Sequence, residues 1–231
     1  MAEWGNLLRA ACAAVAALIV AVPAMAANIA VVPIRIELAP GAKYCSLHVS
    51  NQGADEVAIQ VRGFAWSQAS DGSEELGAAD IRVNPAIFEL KPGEKRLVRC
   101  SLPAHSGPNE SSYRLLVDEL PRGDPQPGTM RTLLRISLPI FRKPAGAAPS
   151  LHWQAGPGGA LQLLNTGQRH AVVGKLVVSR VGQPVETVER GFYLLAGKQR
   201  NIPLTSVRGE ITKVEAVTGE GQLKAVTKLP E

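Results

Sequence analysis

The sequence predicts an all-β chain of two sandwich units, and three observations lead there. Helical periodicity is almost absent beyond the N-terminal segment. Short runs rich in Val, Ile and Leu recur about every ten residues. Between them stand turn sequences, "APGAK", "NQGAD", "SDGSE", "KPGEK" and "RGDPQPG", whose Gly, Pro and Asp residues supply the backbone conformations that tight reversals need. In the first half the strand candidates are 29–38, 45–50, 57–65, 87–90, 96–102, 113–119 and 131–141. Seven strands are the complement of one immunoglobulin-like sandwich.

The segment before them belongs to a different logic. Arg9 precedes an Ala/Val/Leu/Ile run over 10–22, and Ala24-Met25-Ala26 follows. A basic start, a short apolar run and an A-x-A site describe a secretory signal peptide over 1–26, cut after Ala26. The run is short of the ~20 residues that span a bilayer, so stable membrane insertion is not expected. Cleavage leaves about 205 residues, enough to bury a core without help from disulfides.

The chain carries a net charge of +5. The basic residues are dispersed and only 4% of residues are aromatic, which argues against nucleic acid as a partner. The charge suits solubility and attraction for an acidic partner. Cys12 leaves with the signal peptide. Cys45, with Leu47 and Val49, and Cys100, with Val98, fall on apolar strand faces. They are either a disulfide or two buried free thiols.

"KPAGAAPS" at 143–150 lacks patterning and separates the first unit, 27–143, from a second β unit over 151–231, with 144–150 as the linker. A cleft between two such units is the default place for a ligand. No catalytic or metal constellation stands out. His48, His105, His152 and His170 share no ligand spacing, and no CxxC, HExxH, GxSxG or phosphate-cradling loop occurs. The carboxylates of "DGSEE" at 71–75 read as a solvated turn. An enzyme, a cofactor and a metal are therefore not expected.

The most informative stretch is "TLLRISLPIF" at 132–141. Leu134, Ile136, Leu138 and Ile140 alternate as one apolar strand face. Pro139 donates no hydrogen bond, which places the strand at a sheet edge. An apolar edge invites another chain; alternatively, the aliphatic face belongs to the protein's own core.

Together with this stretch, "PIRIEL", "LHVSNQG", "VNPAIFELKPGEKRLVRCSLP", "YRLLVDELP", "LLRISLPIFRKP", "LLNTGQRHA" and "YLLAGKQR" resemble, in order and spacing, the periplasmic chaperones of the chaperone–usher pilus pathway, the PapD-like family. The resemblance implies two immunoglobulin-like domains set in an L, no cofactor, and no catalytic turnover. It implies pilus or fimbrial subunits and an outer-membrane usher as partners. The expected mechanism is donor-strand complementation: an edge strand completes a subunit that lacks its last strand. The donor set is then Met130, Leu134, Ile136, Leu138 and Ile140.

The family grips the subunit's C-terminal carboxylate with two basic residues. Arg35 matches the first; where the family has a lysine on the last strand this chain has Ser137, leaving Arg135, Arg99 or no second cation. Arg142 and Lys143, with Glu119 or Asp118, are candidates for holding the domain angle. The family topology also sets Cys45 and Cys100 on neighbouring strands, where a structural disulfide fits. The short connection after Pro121 suggests the short-loop branch; Ser137 and "ISLPIF" suggest the alternative or archaic branch. A homodimer that caps its own edge is a further expectation. The competing reading from another class is an adhesive or structural surface subunit that self-associates through this strand.

Overall fold

The computed structural model describes residues 29–105, 107–123, 128, 132–206, 208–219 and 221–230. The signal-peptide segment and Met130 lie outside the described residues. Ten strands build the first sandwich: β1 (Ile29–Val32), β2 (Ile36–Leu38), β3 (Tyr44–Asn51), β4 (Val57–Gln68), β5 (Glu74–Gly77), β6 (Arg82–Asn84), β7 (Ile87–Leu90), β8 (Lys95–Ser101), β9 (Ser111–Leu120) and β10 (Arg135–Arg142). One sheet has the order β1-β3-β8-β6; the facing sheet runs β2-β10-β9-β4-β5, with β7 also on β4.

The second sandwich comprises β11 (Leu151–Ala155), β12 (Leu161–Asn165), β13 (Ala171–Arg180), β14 (Glu186–Val188), β15 (Phe192–Leu194), β16 (Gln199–Ile202), β17 (Ile211–Thr218), β18 (Leu223–Ala225) and β19 (Thr227–Lys228). Its sheets are β16-β12-β11-β19 and β14-β13-β17-β18, with β15 on β13. Among the described residues no helix is long and apolar enough to cross a membrane.

Period-2 patterning explains which faces are inside. On β3, Cys45, Leu47, Val49 and Asn51 are buried while their neighbours are not. They meet Val98 and Cys100 of β8, and Ile59, Val61, Leu115 and Val117 of the opposite sheet, in one core. Cys45 and Cys100 stand directly opposite one another in the β3–β8 register and are joined as a disulfide. Each sandwich also uses one fully buried asparagine to close a turn. Asn51 Nδ2 donates to the Leu90 carbonyl at 3.0 Å and its Oδ1 accepts from Gly53 N. Asn165 does the same with the Leu194 carbonyl and Gly167 N. The polar groups of a buried asparagine must be matched, and these are matched by the turn that each one shapes.

Two features of the first sandwich differ from the sequence expectation. The strand expected over 29–38 is two strands in different sheets: β1 pairs with β3, the Val32–Pro33 bond is cis, and β2 then joins β10 in parallel. The last strand begins at Arg135, not at 131, and it is an edge over only part of its length. Strand β2 covers Ile140, Phe141 and Arg142, while β9 pairs with all of Arg135–Arg142 on the other side.

Candidate functional site: an open strand edge beside an interdomain cleft

From Arg135 to Pro139, β10 has β9 on one side and no β2 on the other. Among the described residues no strand pairs with that side, which leaves an edge on which another strand can add. Its side chains divide sharply. Leu138 and Ile140 are 1% and 0% exposed and sit inside the first core. Their side chains are committed to that core, although they share the parity of Leu134 and Ile136. The alternation simply continues through the point where the strand passes from the edge into its own sandwich. Ile136 is half-buried against that core, Leu134 is half-buried, and Leu133 is exposed.

The base of the open stretch is held by ions. Asp118 of β9 faces Arg135 across the register, accepts a hydrogen bond from its Nε, and accepts another from Arg62 of β4 at 2.7 Å. Burial pushes the Asp118 carboxyl up, but the hydrogen bonds from Arg135 and Arg62 and their charges outweigh it and hold the group below its usual value. At the same end, Glu119 accepts from Leu134 N at 3.2 Å and donates its own N–H to the Leu134 carbonyl at 2.9 Å.

The three arginines proposed as carboxylate anchors are not brought together. Arg135 is committed to Asp118 and stands five residues before Ile140, the partner of Ile36, which follows Arg35; that is ~17 Å along the strand. Arg99 belongs to the other sheet, beside Tyr44, Ile36 and Leu38 in a separate groove. Only Arg35 opens into the interdomain cleft, a space of about 450 Å³ that it lines with Glu37, Arg169, His170 and Lys224.

The residues expected to set the domain angle are also placed differently. Arg142 is buried inside the first sandwich, donating to Tyr113 Oη at 3.2 Å and to the Ala42 carbonyl at 3.3 Å. Glu119 is at the far end of β10 from the junction. Lys143 is half-buried just after the strand. The contacts that do join the sandwiches come from elsewhere. Phe141 stacks on His170 with ring centroids 3.7 Å apart and packs with Trp66, Tyr193 and Leu195. Within the first sandwich, Arg114 of β9 lies 3.7 Å over the ring of Trp66 of β4, a cation–π contact that backs Trp66 where it meets Tyr193. His170 Nδ1 and Glu110 Oε1 are 2.6 Å apart with both side chains buried. Gln68 bonds to the Tyr193 carbonyl and Leu195 N, and Asn201 N donates to the Ser70 carbonyl. No local pattern marks these residues, because partners such as Glu110 and His170 are 60 positions apart. The alternation of β10 was the one available signal: on the odd-numbered face, polar Arg135 and Ser137 give way to Pro139 and the aromatic Phe141.

The family described as pili and flagellar-assembly chaperones, PapD N-terminal domain, matches residues 28–148, slightly over half of the chain. This chain belongs to that family. The family is a class of periplasmic, non-enzymatic chaperones of pilus assembly. No curated protein matches at the sequence level. Among solved structures, the chain is similar to the CsuC–CsuE chaperone–tip adhesion subunit pre-assembly complex from the archaic Csu pili of Acinetobacter baumannii. That similarity has a TM-score of 0.70 at 23% identity and covers 88% of this chain and 100% of the other. It is also similar to the E. coli chaperone DraB (TM-score 0.62, 16% identity, 89% and 97% covered). A third similarity is to the Salmonella enterica SafA pilin–SafB chaperone complex (TM-score 0.59, 16% identity, 86% and 94% covered). These likenesses establish the two-sandwich immunoglobulin-like fold.

Proposed function

We propose that this pilus-assembly chaperone binds pilus subunits by lending them the open part of β10, and passes them to an outer-membrane usher. The periplasm is reached through a signal peptide over 1–26. The observation that carries this reading is the geometry of the line that β2 begins. Strand β2 is parallel to β10 and starts at Ile36, opposite Ile140. A subunit strand laid along 135–139 in the same direction would occupy the same line, upstream of β2. Its chain would then end at Arg35, in the cleft. A free C-terminal carboxylate is the natural partner for a guanidinium there, and its capture would fix the register on which side-chain matching depends.

Main-chain hydrogen bonds to the open edge supply affinity, and the alternating side chains supply fit. The donor residues in this reading are Leu134 and Ile136, with Met130 further out. Leu138 and Ile140 serve instead to hold the strand. The partner complexes of related folds, a chaperone with a tip adhesion subunit and a chaperone with a pilin, support the same assignment.

The test is periplasmic co-expression with a subunit encoded beside this chain, comparing wild type with Leu134→Asp and with Arg35→Ala. The wild type is expected to yield a soluble one-to-one complex. Each variant should remain folded by circular dichroism while the subunit is degraded. If both folded variants protect the subunit as well as wild type, the strand-lending reading falls, and pairing of this edge with a second copy of the chain moves ahead.

A further inference from the structure

In the free protein the cleft beside Arg35 already contains a carboxylate. Glu37 Oε1 lies 3.2 Å from Arg35 Nε, and its Oε2 accepts a hydrogen bond from Arg169 Nη2 at 2.9 Å. One carboxylate is thus shared by two guanidiniums, one from each sandwich. The placement of β2 brings these groups together. In the β2–β10 register Glu37 is opposite Phe141, whose ring packs toward the second sandwich, and Arg35, in the bend just before β2, reaches the same carboxylate. Arg169 reaches them from the turn before β13, next to the buried His170. Lys224 adds a further positive charge to the lining, so the cations of the cleft outnumber its carboxylates.

We propose that Glu37 occupies, in the free protein, the place that the subunit's C-terminal carboxylate takes in the complex, and that Arg169 of the second sandwich is the second cation of that site. The proposal rests on the carboxylate-capture reading given above. It accounts for Ser137: with no cation from β10 at that position, the second positive charge comes from across the cleft. The side chains of Arg35, Glu37 and Arg169 are 45%, 31% and 30% exposed. Ion pairs this open to water are weak, so an arriving carboxylate displaces Glu37 at little cost. A chain end, delivered by strand pairing, competes at a high effective concentration, whereas stray small anions do not. Glu37 therefore acts as an internal placeholder that selects chain ends presented by a paired strand. Because Arg169 is on the second sandwich, occupancy is sensed by both domains.

The experiment uses an N-acetylated peptide of alternating valine and threonine, made with a free C-terminal carboxylate and, separately, as the carboxamide. Binding of both is measured by calorimetry to wild type, Arg35→Ala, Arg169→Ala and Glu37→Gln, each shown to be folded by its melting temperature. The expected result is that wild type prefers the carboxylate and that Arg35→Ala loses the preference. Arg169→Ala should weaken the carboxylate peptide by about fivefold, and Glu37→Gln should strengthen it by a similar factor, with little change for the carboxamide. Equal binding of the two peptides by wild type overturns carboxylate capture, and this proposal with it. A preference lost in Arg35→Ala but unchanged in both Arg169→Ala and Glu37→Gln overturns only the placeholder and the second cation. Glu37→Gln keeps the side-chain shape, so its outcome decides even if Arg169→Ala disturbs the domain joint.

Discussion

Leu134 and Leu138 are the same residue type on the same strand parity, and truncating each to alanine should separate the two uses of β10. Leu138 is 1% exposed in the first core. Removing it forfeits the transfer free energy of a buried leucine and leaves a cavity, together about 3 kcal/mol within the usual range for Leu→Ala. For a sandwich of this size that lowers the melting temperature by roughly 10 °C. Leu134 is half-buried and outside the core cluster, so Leu134→Ala should cost about 1 kcal/mol or less. Thermal unfolding followed by far-ultraviolet circular dichroism on the whole mature chain reads both. The reasoning is refuted if the two variants melt together, or if Leu134→Ala is the more damaged. Subunit capture should show the reverse order, with Leu134→Ala losing more complex per unit of stability lost.

Asp118→Asn should destabilise the protein by roughly 1–3 kcal/mol at neutral pH. The folded carboxyl is held below its usual value, so its contribution is present above about pH 4 and is lost as the pH falls further and the folded group takes up its proton. Urea titrations at several pH values check this, and a gap between wild type and variant that does not close in acid would contradict it. The Cys45–Cys100 bond closes a separation of 55 residues. Its reduction should lower the stability of the first sandwich by about 2–4 kcal/mol. Urea curves that superimpose with and without reductant would show that the bond contributes nothing.

The sandwich architecture was readable because each strand carries its own evidence: alternation in "YCSLHVSN", turn chemistry in "KPGEK". Beyond single strands the sequence is silent. Nothing local distinguishes Leu134 from Leu138, since their fates are decided by how far β2 reaches along β10, and β2 comes from the other end of the domain. The break of 29–38 into two strands was marked only by Pro33. Arg35 was found through a family pattern. Glu37 and Arg169, 132 positions apart, were not found, because a pairing between domains leaves no periodic trace. His170 reads in the sequence as one of four histidines without ligand spacing, although its buried contact with Glu110 and Phe141 makes it part of the joint.

The way β10 is anchored also gives strand addition a direction. Its C-terminal half is clamped by β2, by Leu138 and Ile140 in the core, and by Phe141 in the domain joint. Among the described residues, no such clamp holds residues 132–134 on the side away from β9. Pairing a new strand with a segment whose dihedrals are already fixed costs less conformational entropy than pairing with one that must be ordered. A zipper laid on this edge therefore closes most cheaply from Pro139 outward toward Leu134, so that the clamped end acts as the nucleus and the opposite end as the last tooth.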